Sequence, residues 1–213
     1  MPNTWKYKWG DSMENLKITI SNNNAKMGAI PSISFPPVIT CRCNAPCVRK
    51  CYAAKICRLR ESVKNSYVHN LDVYKKNPVI FWQQVKAAAC ISGYFRYFVS
   101  GDLPDAKFFA DAVKLAKDLK TTKFLMFTKK FEIVNAYLQQ GGKIPKNLII
   151  IYSQWGNFRC ENPFNLPESE IIFKGEKPLE KWLVCGGNCA SCICKGIGCW
   201  QLKKGDTIAF YEH

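Results

Sequence analysis

Three apolar runs constrain this chain more than any other feature. They are Tyr94–Val99 ("YFRYFV"), Lys123–Phe127 ("KFLMF") and Asn147–Tyr152 ("NLIIIY"). Each is short, nearly continuous and rich in aromatic or β-branched residues, the pattern of a strand covered on both faces. Each leads into a short polar loop. Helical spacing follows the first two: Phe108, Ala112, Leu115 and Leu119 recur within Pro104–Leu119, and Glu132–Gln140 stops at Gly141-Gly142. Strand–loop–helix units in this order predict a parallel sheet with right-handed crossovers.

The outer segments extend the pattern. Val38-Ile39-Thr40 reads as a buried strand, and Ile171–Phe173 and Trp182–Val184 as two more. Leu16–Ile20 alternates well enough for a strand. Cys47 to about Lys64, and Val79–Ala89 behind Asn77-Pro78, are helix-compatible. Neither GxGxxG nor GxxxxGK[ST] is present, so a nucleotide-binding doubly wound sheet has no positive support. In 213 residues about six βα units fit, fewer than the ~250 residues of a full barrel. The expected fold class is α/β, a partial (βα)6 TIM-like barrel. An N-terminal arm (1–37) precedes the barrel core (38–184), and a cysteine-rich metal-binding segment (185–213) follows it.

Twelve cysteines dominate the chemistry. Five stand between Cys41 and Cys57, five between Cys185 and Cys199, and only Cys90 and Cys160 lie between the groups. The N-terminus does not read as a signal peptide, and two tight thiol clusters without an export signal favour metal over disulfides. The first group allows C-x5-C-x3-C from Cys41 or C-x3-C-x3-C from Cys43. Three thiolates leave one iron of a four-iron cluster open to substrate or cofactor, whereas four close the site. The second group, "CGGNCASCICKGIGCW", offers Cys185, Cys189, Cys192, Cys194 and Cys199, with glycines that let the backbone wrap a metal centre. With only His69 and His213 available, an all-thiolate iron–sulfur or zinc site is expected. Cys90 and Cys160 read as plain buried cysteines.

The strand ends point the same way. The first ends on Cys41, the next on Ser100, Gly101 and Asp102, then Thr128 and Lys129, then Ser153 and Gln154, and the last on Cys185. Chemistry in α/β barrels gathers on that rim. Ser100, Gly101, Asp102, Thr128, Ser153 and Gln154 are the candidate cofactor-binding residues. Asp102 and Lys129 are the candidate catalytic pair, with Lys129 suited to an anionic group.

The net charge is +15. Much of the excess sits at Arg49, Lys50, Lys55, Arg58, Arg60 and Lys64, against Glu61 alone. An anionic partner such as nucleic acid is one expectation, a merely solvated surface the other. No apolar stretch of ~18 residues occurs, so no membrane span is expected, and the chain reads as cytoplasmic.

"SF-x-x-P-x-x-TC" (Ser34-Phe35 to Thr40-Cys41), Pro46-Cys47, Cys51-Tyr52-Ala53, Ser100-Gly101-Asp102 and Cys199-Trp200 together resemble the gene-product-88-like family of cysteine-rich phage proteins. The likeness covers most of residues 25–200. It implies a host-cytoplasmic setting and singles out Cys41, Cys47 and Cys51, with Cys43 a spare. A second resemblance is to radical S-adenosylmethionine enzymes. There, three cysteines follow the first strand of a partial (βα)6 barrel, and a Gly-Gly-Glu-type motif follows the second. Cys47-Val48-Arg49-Lys50-Cys51-Tyr52 and Gly101-Asp102 stand in that order here, with one extra residue between cysteines and Gly-Asp in place of Gly-Glu. It implies an open-site 4Fe-4S cluster on Cys41, Cys47 and Cys51, with S-adenosylmethionine as cofactor. An auxiliary cluster would sit on Cys185, Cys189, Cys192 and Cys199. The alternatives are structural zinc with a nucleic-acid or host-protein partner, and an electron-transfer or sensing iron–sulfur protein. The substrate, small or macromolecular, is not specified.

Overall fold

A computed structural model describes residues 16–42 and 44–212. The start of the N-terminal arm, Cys43 and His213 lie outside the described residues. In chain order the elements are β1 (Ser32–Ile33), α1 (Tyr52–Leu59), α2 (Glu61–Lys76), α3 (Pro78–Ser92), β2 (Tyr94–Tyr97), α4 (Ala106–Asp118), β3 (Lys123–Thr128), α5 (Phe131–Gln139), β4 (Leu148–Ser153), β5 (Glu168–Ile172), β6 (Leu183–Val184), α6 (Cys189–Cys194) and β7 (Thr207–Tyr211). Short 3-10 turns precede α1 at Pro46–Lys50 and β7 at Gly198–Gln201.

The strands form one seven-stranded sheet in the order β1-β2-β3-β4-β5-β7-β6. Every neighbouring pair is parallel. The α/β expectation with a parallel sheet holds. The sheet is not closed: β1 and β6 are its two edges.

The apolar runs are continuous because both faces are covered, and the period of two sorts them. Phe95, Tyr97, Phe124, Met126, Leu148, Ile150 and Tyr152 belong to a core shared with α2, α3, α4 and α5. Tyr94, Leu125, Phe127, Ile149 and Ile151 belong to a second core, with Met27, Ile30, Trp200, Leu202 and Ile208. The helices α2–α5 therefore lie on one face. The opposite face carries the turn around Met27 and the C-terminal cysteine segment. On the helical side Phe108 packs among Tyr74, Trp82, Phe98 and Phe35 with ring centroids 4.8–5.5 Å apart.

Two expected strands are corrected. Val38-Ile39-Thr40 is a turn, not a buried strand. Pro36-Pro37 removes two ladder donors, Thr40 N–H and Oγ1 both donate to the Pro36 carbonyl, and Val38 sits at φ 71°. The first strand is Ser32–Ile33 instead. Leu16–Ile20 joins no strand ladder; its polar groups go to side chains, Ile18 N–H donating to Gln84 and Thr19 N–H to Asn70. Among the described residues no helix is long and apolar enough to cross a membrane.

Gly101, just past β2, tests the local design. Its φ is +80°, and a Cβ there would stand 2.7 Å from both the Phe35 carbonyl oxygen and Thr40 Oγ1. Gly101→Ala is expected to lower stability by about 1–3 kcal/mol or more through backbone strain and that clash. Unchanged urea unfolding of the variant would contradict this.

Candidate metal and ligand site

In a parallel sheet all carboxyl ends share one edge, so the loops after β1, β2, β3 and β4 meet there. The loop after β1 carries Cys41. It is fastened to the end of β2 by reciprocal bonds. Phe35 N–H donates to the Ser100 carbonyl, Ser100 N–H to Ser34 Oγ, Ser100 Oγ to the Phe35 carbonyl, and Asp102 N–H to Thr40 Oγ1. Ser100 is thus turned toward backbone and is buried.

Asp102 ties the ends of β2 and β3 together. Its Oδ1 accepts from Thr128 Oγ1 at 2.6 Å and from Leu103 N–H at 2.7 Å, and its Oδ2 accepts from Lys129 N–H at 2.9 Å. Burial raises its pKa, while the Thr128 hydroxyl, the two amides and the Lys129 charge pull it back. Lys129 Nζ donates to Ser153 Oγ at 2.7 Å and lies 5.9 Å from the Trp155 ring centroid. Lys130 Nζ donates to the Leu103 carbonyl. Gln154 locks a loop: its Oε1 accepts from Cys160 N–H at 2.6 Å, and it is 1% exposed.

Cys41 and Cys47 share this neighbourhood. Burial pushes the Cys41 thiol up to about 12, and the Asp102 carboxylate, Cys51 and Cys47 add to the rise. Burial also raises Cys47, with the Lys129 ammonium opposing and Cys51 and Asp102 reinforcing. Cys51 Sγ caps α1 by accepting Ala54 N–H at 3.4 Å, and Tyr52 reaches the Val99 carbonyl through its hydroxyl at 2.8 Å. Cys41 and Cys47 are therefore within electrostatic reach of Asp102, and Cys47 of Lys129, on the carboxyl edge.

The second group gathers on the opposite face from the helices. Cys185 N–H donates to Ala209 O and Cys189 N–H to Lys26 O, both at 2.9 Å. Asn188 caps α6. Burial pushes Cys199 up to about 12; the Arg96 charge opposes this, and Cys185, Cys189 and Cys192 reinforce it. Cys194 is exposed.

Every described cysteine is a free thiol. Among the described residues no three Cys, His, Asp or Glu side chains converge on one point as a ready ligand set. The gathered donors are thiols, the chemistry that suits zinc or iron–sulfur centres. His69 does not join them, since its Nε2 lies 3.0 Å from the Lys17 carbonyl.

Several residues escaped the sequence reading. Thr40 is the hydroxyl that joins the two loops. Cys160 is buried as expected, yet its thiol, also pushed up to about 12 by burial, feels Lys129 and Asp102. Cys90, expected to be buried, is exposed on α3. Arg96 is the lone charge inside "YFRYFV", a signal available in the run itself.

A family model described as Gene product 88 matches residues 8–205. This chain belongs to the Gene product 88 family. The match spans the Cys41 loop, the Asp102 turn and the C-terminal cysteine segment alike, so in this Gene product 88 chain both thiol groups fall inside the family region. No curated protein and no solved structure matches the chain.

Proposed function

We propose that this Gene product 88 chain is an iron–sulfur protein with an enzymatic site on the carboxyl edge of its sheet. What supports this is that the Cys41 and Cys47 thiols, on the loop after β1, lie within electrostatic reach of Asp102, with Lys129 acting on Cys47, at the ends of β2 and β3. Cys41, Cys47 and Cys51 would hold a four-iron cluster with one open iron, and Cys185, Cys189, Cys192 and Cys199 a second cluster. When bound, an open-site cluster supplies one-electron chemistry to a ligand at its free iron. The chain supplies the rest. Lys129, held by Ser153 and beside Trp155, offers an ammonium to an anionic ligand group. Asp102 holds the ends of β2 and β3 together at that edge.

In its finer form the sheet is a partial barrel of the radical S-adenosylmethionine type, S-adenosylmethionine is the ligand, and the host cytoplasm is the setting. Three hydrogen bonds already occupy the Asp102 oxygens. Asp102 would then act as a charge beneath the ligand, and Ser153, Lys129 and backbone groups would contact it.

A second reading rests on the exposed cations Arg49, Lys50, Lys55, Arg58 and Arg60 beside the first thiols. Zinc on both groups would staple the fold, and this surface would bind nucleic acid.

Anaerobic purification with iron supplied separates the two. The first reading expects brown protein with iron and sulfide on the order of eight each per chain, four per cluster. Colourless protein holding stoichiometric zinc under the same conditions supports the second and sinks the first.

A further inference from the structure

The eight residues of α1 divide into two faces. Ala53, Ala54 and Cys57 are buried, on the side that packs against α2. Tyr52, Ile56 and Leu59 stand four and three residues apart. At 3.6 residues per turn they fall within about 60° of one another and form one stripe. The stripe faces water: Tyr52 is 51% exposed, Ile56 39% and Leu59 73%. The Tyr52 ring is held in it, because the hydroxyl donates to the Val99 carbonyl at 2.8 Å. A single exposed leucine needs no explanation. Three large apolar side chains together on one exposed helix face call for one.

Cations border the stripe. On the helix itself, Lys55 lies beside Leu59, and Arg58 follows further round the same flank. Arg49 and Lys50 end the turn before the helix, and Arg60 stands at its C-cap. All five are exposed. Lys50 pairs with Glu212 at 2.8 Å. Among the described residues Arg49, Lys55, Arg58 and Arg60 form no ion pair. Glu61 is the one acidic residue between positions 49 and 64.

This combination needs a partner with negative charge at its surface and an apolar phase directly beneath. A nucleic-acid duplex offers phosphates to the cations but no apolar depth for Ile56 and Leu59. An acidic protein would need a groove shaped to these three side chains. An anionic bilayer supplies both parts without matched shape: phosphates at the headgroups and hydrocarbon just below. Tyrosine, with an apolar ring and a polar tip, suits that boundary as well. We propose that α1 docks this protein onto an anionic lipid surface. Tyr52, Ile56 and Leu59 enter the headgroup boundary, and Arg49, Lys55, Arg58 and Arg60 meet the lipid phosphates. The attachment is peripheral, since among the described residues no helix is long and apolar enough to cross a membrane. It does not depend on which metal the thiols hold. It assigns to lipid the cations that the second reading above gives to nucleic acid.

The test is co-sedimentation of full-length protein, kept reduced, with two kinds of vesicle. One is phosphatidylcholine alone; the other is phosphatidylcholine mixed with phosphatidylglycerol. Wild type is expected to bind the mixed vesicles, more weakly as salt rises, and to leave the neutral ones in solution. Lys55→Gln with Arg58→Gln should weaken that binding by about fivefold per charge. Ile56→Ser with Leu59→Ser keeps every charge and should weaken it about tenfold or more, through the lost inserted methylenes. Should that pair not fold, Leu59→Ser decides alone: its side chain is mostly in water, and about a threefold loss is expected. Wild-type vesicle affinity in the serine variants overturns the proposal, as does equal binding of wild type to neutral and mixed vesicles. Wild type that binds a short DNA duplex but not the mixed vesicles overturns it in favour of nucleic acid.

Discussion

Asp102→Ala is expected to lower the stability of this protein by about 2–5 kcal/mol. The carboxylate accepts from the Thr128 hydroxyl, Leu103 N–H and Lys129 N–H, and it is 6% exposed. Truncation strands buried donors at about 1–3 kcal/mol apiece. It also removes the tie between the ends of β2 and β3, the frame of the candidate site. Asp102→Asn preserves the shape and one acceptor oxygen, so it should cost distinctly less. Urea unfolding of the two variants beside wild type is the measurement. An alanine variant within about 0.5 kcal/mol of wild type, the range of an ordinary surface substitution, would show that the tie contributes little.

Paired cysteine substitutions carry the other large expected effect. Cys47→Ser with Cys51→Ser should remove the metal of the first group and leave that of the second. Cys189→Ser with Cys192→Ser should do the reverse. On the two-cluster reading each pair therefore halves the iron of anaerobically purified protein, from on the order of eight atoms to four. The combination of all four substitutions should abolish it. Complete loss of iron from either pair alone would mean that both thiol groups serve one centre. Retention of all iron in one pair would remove that group from the ligand set. Far-ultraviolet circular dichroism on the same samples checks that the α/β fold persists.

Much of the sheet was legible from local pattern. The runs at residues 94–99, 123–127 and 147–152 are strands because each alternates between two buried faces, and continuous apolarity records that directly. Their polar termini mark the carboxyl edge for the same reason: a strand that leaves the core must hand over to residues that can meet water or a ligand. β5 was harder to read. It begins Glu168-Ser169-Glu170, and Glu170 is buried because Arg159 Nη2 lies 2.5 Å from its Oε1. A sequence shows the carboxylate, not the partner that makes it tolerable. β1 is two residues long, too short for any period, and exists through its pairing with β2.

The cysteine groups divide in the same way. Their spacing and the scarcity of histidine, by themselves, showed that thiols are the soft donors this chain offers and where they lie in it. Only the tertiary structure decided their company. It put Asp102 and Lys129 beside the first group and Arg96 beside the second, and it inserted β7 between β5 and β6 so that the cysteine segment crosses the face opposite the helices. The physical reason is range. Hydrophobic period and cysteine spacing are written within a few residues, whereas a thiol and the charge that acts on it, such as Cys41 and Asp102 or Cys199 and Arg96, belong to segments far apart in the chain, and packing alone brings them together.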